Sequence, residues 1–261
     1  MILRFIVKTL FLCFSFVHGT AQVHLCSWNL ENFGKSKSDS EIVFISHTLK
    51  DFDLVAVTEV VAGKGGAQAV ARLADELNRT GSKWDYCVSD PTTGTPGSSE
   101  RYAFLWKTHV ISKHGDAFLE KHYTDSIERE PYFGRFLYEG KPITIAVFHA
   151  VPKNKQPEKE IKFLKFLPEL YPKETLIFCG DFNCPQSHSV FGPLKQKNYL
   201  PALQKQKTTL KNECKQDQCL ASEFDNVFYP AAKVKLLAKD IVPFYLKFST
   251  LKEARKISDH L

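Results

Sequence analysis

The segment Glu174 to Pro185, ETLIFCGDFNCP, sets a carboxylate and an amide, Asp181 and Asn183, two residues apart just beyond an apolar run. Leu176 to Phe178 has the pattern of a strand covered on both faces, and Gly180 interrupts it. In extended backbone, positions two apart share a face, so both polar groups leave one side while Phe182 turns to the core. Such a pair suits a divalent cation or a phosphate oxygen; it equally suits a tight turn in which each side chain bonds nearby backbone. Similar polar endings recur. Asn29 lies in WNLEN, Glu59 follows Leu54 to Thr58, and Glu100 opens an alternating run. His149 follows Ile143 to Phe148, Asp225 precedes Asn226 to Tyr229, and Asp259-His260 lies in ISDH. Each alone reads as a surface acid, a core histidine or a turn residue. Strand ends on one rim converge, however, and would bring carboxylates, amides and two imidazoles together.

Oxygen ligands such as Glu59, Asp181 and Asp259 suit a hard cation, magnesium before zinc. Imidazoles, with an ordinary pKa of about 6.5, suit proton transfer near neutrality. Metal, general acid and general base together describe hydrolysis of a phosphate ester by activated water. No Ser or Cys nucleophile elbow and no flavin or nicotinamide fingerprint competes with this reading.

The elements that must position these groups alternate between strand-like and helix-like runs, which indicates an α/β protein. Val23 to Trp28, Leu54 to Thr58, Glu100 to Lys107, Pro131 to Tyr138, Ile143 to Phe148 and Asn226 to Tyr229 read as strands, and Val234 to Leu237 as a further candidate. Glu100, Tyr102, Phe104 and Trp106 share one face of their strand. The spacing predicts helices over Asp39 to Leu49, capped by Asp39 or Ser40, and around Val70 to Leu77. A third is expected after Pro157, with Ile161, Leu164 and Leu167 inward and Pro168 kinking or ending it, and a short fourth within Ser249 to Lys256. GKGGAQ lacks phosphate-loop spacing and reads as a flexible turn, Pro91 to Ser99 as an exposed loop, and lysine-rich Lys195 to Gln218 as a solvated loop.

Residues 1–21 carry Arg4 and Lys8, an apolar run from Thr9 to Val17, and small residues at Gly19-Thr20-Ala21. That is the pattern of a cleavable export signal, too short for a membrane span, so a secreted or periplasmic protein is expected with residues 22–261 as one domain. The formal charge of +6 falls to +4 without Arg4 and Lys8, a balance that permits an anionic partner without demanding one. Six of seven cysteines stay in an oxidising compartment. Cys26 and Cys179 sit in apolar runs, whereas Cys184, Cys214 and Cys219 are the bridge candidates. No cysteine pair faces a matching His or Cys pair, which argues against zinc.

Taken in order, WNLEN, VTEV, SERYAF, FHA, CGDFN, FDN and ISDH resemble the endonuclease/exonuclease/phosphatase superfamily across nearly all of the mature chain. DSIEREP, Asp125 to Pro131, most resembles its secreted deoxyribonuclease I branch. The resemblance implies a four-layer α/β/β/α sandwich of two packed mixed β-sheets and a monomeric, Mg2+-dependent DNA endonuclease acting on double-stranded DNA, with Mn2+ as a substitute. It implies Glu59 as principal metal ligand with Asn29, Asp259 and Asp181. His149 becomes the general acid oriented by Glu100, and His260, supported by Asp225, positions or deprotonates the water. Asp181 and Asn183 would bind the scissile phosphate or a second cation, Arg129 would grip a phosphate, and Tyr102 and Arg101 would line the site. Asp125 and Glu130 match a structural Ca2+ site, or else form a salt bridge to Arg129. Two departures bear on DNA contact: Val61-Ala62 replaces an arginine of the minor-groove contact, and Ser98-Ser99 replaces an aromatic and a lysine. The resemblance also implies a closing strand after His260, whereas this sequence runs only to Leu261: either it is truncated or that strand is absent. Relatives of the same fold cleave phospholipid or sphingomyelin, usually with an exposed hydrophobic hairpin that is not apparent here. A catalytically inactive nucleic-acid-binding module would have lost metal or imidazole positions, and these are present.

Overall fold

A computed structural model describes residues 22–95, 97–216 and 218–261, so the expected export signal lies outside the described residues. The first sheet holds β1 (Leu25–Phe33), β2 (Leu54–Val61), β3 (Trp84–Val88) and β4 (Glu100–Lys107) in the order β1-β2-β4-β3. β1 and β2 are parallel and the other pairs antiparallel. The second sheet contains β5 (Ile111–Lys113), β6 (Phe118–Leu119), β7 (Tyr132–Tyr138), β8 (Lys141–His149), β9 (Leu176–Asp181) and β10 (Tyr199–Pro201). After the separate hairpin of β11 (Leu210–Lys215) and β12 (Gln218–Leu220), β13 (Asp225–Pro230) inserts between β10 and β9. β8 and β9 are parallel, so this sheet is mixed as well.

Pleating explains the layers. Leu54 and Ala56 of β2 and Tyr102, Phe104 and Trp106 of β4 point one way, onto Tyr132, Phe136, Ile145, Val147 and Cys179 of the second sheet. Val55, Val57, Ala103 and Leu105 point the other way, onto helices α1 (Asp39–Leu49) and α2 (Lys64–Asn78). On the far face of the second sheet, Phe133, Ala146, Phe148 and Phe178 meet Ile161, Leu164, Leu167, Phe191 and Leu194 from short helical turns. Two mixed sheets face each other and helices cover both outer sides.

Several local expectations change. α1 is capped by Ser38 in a capping box with Glu41, because Ser38 is the residue in extended backbone ahead of the helix. GKGGAQ is no flexible turn: Lys64 opens α2, whose packing onto β1 and β2 outweighs the poor propensity of two glycines. The expected helix after Pro157 is broken into Glu158–Ile161, a 3-10 turn at Leu164–Phe166, and Leu167–Leu170 with Pro168 in its first turn. Lys195 to Gln218 contains β10 and most of the β11–β12 hairpin rather than one loop, and Val234 to Leu237 forms no strand. Cys214 and Cys219 form a disulfide across the hairpin. Cys184 is instead a buried free thiol against the aromatic cluster of the second sheet. Burial pushes the free thiols of Cys26 and Cys179 up to about 12.

Two backbone features set the strands that reach the cleft. Glu139 and Gly140 both have positive φ, at +48° and +73°, which suits the tight two-residue turn joining β7 to β8. Gly180 has φ +133°, and a Cβ there would stand 2.0 Å from the Phe148 carbonyl oxygen on the paired strand β8. Only glycine lets β9 approach β8 this closely one residue before Asp181. Gly180→Ala is expected to destabilise the protein by about 3 kcal/mol or more. The measurement is the urea unfolding midpoint, and an unchanged midpoint would show that β9 tolerates a side chain there.

Candidate active site

Bulges aim the first groups. The β1–β2 register shifts between Asn29 and Phe33, and the β2–β4 register shifts between Val57 and Val60. Within these irregular stretches Glu31, Asn32 and Glu59 adopt left-handed backbone, with φ +36°, +53° and +59°, as does Asn183 at +49° beyond β9. Left-handed non-glycine residues cost about 1–3 kcal/mol each and gather where a site constrains the chain. Here they turn polar side chains out of buried strands toward one point. Asn29 Nδ2 donates to Glu59 Oε1 at 2.9 Å and to Asp181 Oδ2 at 3.3 Å, while Asn32 N–H donates to Glu59 Oε2 at 3.0 Å.

Asp181, 2 % exposed, ends β9 in register with His149 on one neighbour and Asp225 on the other. Its Oδ2 lies 3.4 Å from His149 Nε2 and 3.6 Å from His260 Nε2. Each imidazole is backed at Nδ1 by another carboxylate. His149 Nδ1 is 2.9 Å from Glu100 Oε2, and His260 Nδ1 is 2.8 Å from Asp225 Oδ2. Two carboxylate-backed imidazoles thus present Nε2 to one oxygen. Glu59 Oε1 stands 4.0 Å from His149 Nε2, and Asp259 Oδ1 3.8 Å from His260 Nε2.

The supports are buried too. Ser258 Oγ donates to the Asn29 carbonyl at 2.5 Å and accepts His260 N–H at 2.9 Å, and Trp28 Nε1–H donates to the His260 carbonyl at 2.9 Å. Glu160 accepts the N–H groups of Glu128 and Val151 at 2.7 and 2.8 Å and so ties the DSIEREP segment to the chain after His149. Trp28 and Ser258 stood within WNLEN and ISDH without a role assigned; Glu160 had no signal beyond being an acid in a helix.

Other predicted residues lie elsewhere. Tyr102 does not line the cleft: its position points between the sheets, where its ring is fully buried and parallel to that of Tyr132. Arg129 is turned inward, with Nε donating to the His149 carbonyl at 3.0 Å, Nη1 to Glu100 Oε2 at 3.2 Å and Nη2 to the Ala150 carbonyl. It braces the first imidazole pair from behind, and its guanidinium is spent on the protein. Arg101 bonds the carbonyls of Ala62 and Ser89. Asn183 donates its backbone N–H to Asp181 Oδ1 at 2.8 Å and its amide to the Ala150 carbonyl at 3.0 Å. Glu130 is buried and accepts from the Thr93 backbone and hydroxyl, while Asp125 is exposed; Arg129 pairs with Glu100 rather than with either of them.

The donor set fits a hard cation. Carboxylate oxygens of Glu59 and Asp181 face one position, spanned by a single amide nitrogen of Asn29, and the Glu59 side chain is one quarter exposed at the cleft floor. Atoms of Asp181, Asp225 and His260 also cluster within 4.8 Å of one another, although Asp225 and His260 Nδ1 already engage each other. Burial disfavours the imidazolium of His149, but Glu100 outweighs it and raises its pKa. Burial likewise opposes charge on His260, yet Asp225 and Asp181 push its pKa up to about 10.

Two mixed sheets packed face to face, with carboxylates, amides and two carboxylate-backed imidazoles at one rim, define the class of fold and site to which this chain is compared. The chain belongs to the Endonuclease/Exonuclease/phosphatase family, whose model matches residues 26–260. A deoxyribonuclease of Thioalkalivibrio sp. (strain K90mix) is 27% identical, over 92% of this chain and 69% of the relative. Human deoxyribonuclease-1 is 28% identical over 66% of this chain, and the match spans 64% of its length. Among solved structures, the human Nocturnin catalytic domain with bound sulfate superposes with a TM-score of 0.64 at 15% identity, over 92% of this chain and 91% of that one.

The raised His260 pKa makes a prediction for the chelator-treated protein. The ordinary and unfolded value is 6.5 and the folded value is about 10, so the stability from His260 is fully present below 6.5 and lost as pH rises through about 10. Melting temperatures of wild type and His260→Gln, measured in chelator from pH 6 to 10.5, are expected to converge as pH rises. A gap constant across that window would contradict the charge assignment.

Proposed function

We propose that this protein is a divalent-cation-dependent phosphodiesterase that cleaves DNA internally, exported by the segment 1–21. The observation that carries the reading is the pair of carboxylate-backed imidazoles facing Asp181 across a cleft whose oxygen donors suit Mg2+, with Mn2+ as a substitute. The deoxyribonuclease relatives support DNA as substrate, and the Cys214–Cys219 bridge supports an oxidising compartment. The exposed strand β11 of the β11–β12 hairpin is polar, with Lys211, Asn212, Glu213 and Lys215 along it, which favours a nucleic acid over a lipid surface.

Glu59, Asp181 and the Asn29 amide, after rotation to present oxygen, would hold the cation. Bound there, it would polarise a phosphate oxygen and offset the negative field of the carboxylates. His149, kept protonated by Glu100, gives its Nε2 proton to the leaving 3′ oxygen. His260, in its neutral form, would orient the attacking water and accept its proton at Nε2, with Asp225 stabilising the imidazolium that results. The Nε2 atoms of His149 and His260, on either side of Asp181, would set the scissile phosphate between them, as an in-line displacement requires, while Asn183 holds Asp181 in place through its backbone N–H. The Asp125–Glu130 segment is a second, structural Ca2+ position in this proposal.

Supercoiled plasmid is expected to be nicked with Mg2+ and left intact with chelator, while a phospholipid release assay stays silent. His149→Ala and His260→Ala are each expected to lower nicking by about 10²- to 10⁴-fold with the fold retained by circular dichroism. Near-normal turnover in either variant, or nicking indifferent to chelator, would overturn the proposal. Added Ca2+ is expected to raise the melting temperature, and a flat response would remove the Ca2+ position alone.

A further inference from the structure

Thr208 lies outside every motif that carries the family resemblance, and its side chain is wholly buried. Its hydroxyl oxygen accepts the backbone N–H of Phe224 at 3.2 Å and of Asp225 at 3.0 Å. These donors use both lone pairs of a hydroxyl, so its own proton must be given away. Two acceptors are in reach, Asp225 Oδ2 at 2.6 Å and the Ser222 carbonyl at 3.5 Å. The first has the length of a bond to an ionised carboxylate and the second is at the limit of bonding, so the proton goes to Asp225. Asp225 Oδ2 is also the oxygen that receives His260 Nδ1.

The backbone around the same residue meets the other partner. The Thr208 carbonyl accepts Leu261 N–H at 2.8 Å, Thr209 bridges to His260, and Leu210 N–H donates to the Asp259 carbonyl at 2.7 Å. The root of the β11–β12 hairpin therefore touches both halves of the His260–Asp225 pair, one through a hydroxyl and one through main chain.

We propose that Thr208 is a positioning residue for that pair. Its hydroxyl fixes the plane of the Asp225 carboxylate, which commits His260 Nδ1–H to Asp225 and leaves Nε2 as the nitrogen offered to the cleft. Without the hydroxyl, Oδ2 loses one of its two donors and the carboxylate can rotate away from the imidazole. The assignment rests on the hydrolytic reading above for its kinetic consequence, and on geometry alone for its structural one. Residues that hold a reacting group from behind act on the chemical step, and their loss typically costs about 10- to 100-fold.

Thr208→Val keeps the branched shape and removes the hydroxyl, whereas Thr208→Ser keeps the hydroxyl. In Mg2+-dependent DNA cleavage, Thr208→Val is expected to lower kcat by about 10- to 100-fold with KM unchanged, and Thr208→Ser to retain most of the activity. In the proton NMR spectrum of the chelator-treated protein, the downfield Nδ1 proton of His260 is expected in wild type and Thr208→Ser and absent from Thr208→Val. Wild-type kcat in Thr208→Val, or equal loss in both variants, would overturn the proposal, the latter because packing rather than the hydroxyl would be responsible. Should Thr208→Val fail to fold, Thr208→Cys, whose thiol is a weak donor of similar size, takes its place with the same expectation. A wild-type protein that cleaves no DNA counts against the proposed function, and the NMR comparison then decides the positioning role, an unchanged resonance overturning it.

Discussion

The arrangement depends on one oxygen, Oδ2 of Asp181. It sits in the interior where an ionised carboxylate is costly unless partners surround it. Those partners are the Asn29 amide and the Nε2 atoms of His149 and His260, from three widely separated parts of the sequence. Each partner in turn needs its own backing, which Glu100 and Asp225 supply, and those acids need Arg129 and Thr208 behind them. The buried polar groups are paired outward in successive shells until the chain can close them with backbone. An interior network of this sort is worth most when every member is satisfied.

The two halves of the network are built differently. His149 is held through charge: an inward arginine spans Glu100 and two carbonyls of the strand that carries the histidine. Behind its own carboxylate, the His260–Asp225 pair is braced by neutral groups, a serine, a tryptophan, a threonine and main chain. The difference agrees with the electrostatics, since Arg129 opposes positive charge on His149, whereas no cation ranks among the main influences on His260. Both imidazoles have their pKa raised by the carboxylates around them, but only His149 has a guanidinium beside it working the other way.

Much of the frame could be read from residue order. The alternation from Glu100 to Trp106 gave the division between inter-sheet core and helix layer, because a pleated strand has no other way to place those side chains. The pair Glu139-Gly140 between two strand-like runs marks a tight turn by the same kind of local chemistry, since glycine takes positive φ freely. What could not be read were positions where tertiary structure overrides local preference. Asn29 and Glu59 lie within bulged strands rather than beyond their ends, and nothing in WNLEN or VTEV marks the register shifts. Arg129 and Tyr102 carry polar groups suited to a cleft, yet face inward because their strand or loop position decides direction before chemistry does. Thr208 sat in a lysine-rich stretch whose composition pointed to solvent.

The bonds from Ser258 to Asn29 and from Trp28 to the His260 carbonyl join the first strand to the far end of the fold. On the ribosome, the strands bearing Asn29, Glu59, Glu100, His149 and Asp181 emerge well before that segment does. A nascent chain can therefore assemble both sheets and still lack a finished cleft, which waits for the segment Ser258 to His260. A chain halted before Ser258 therefore holds only one of the two imidazoles that face Asp181.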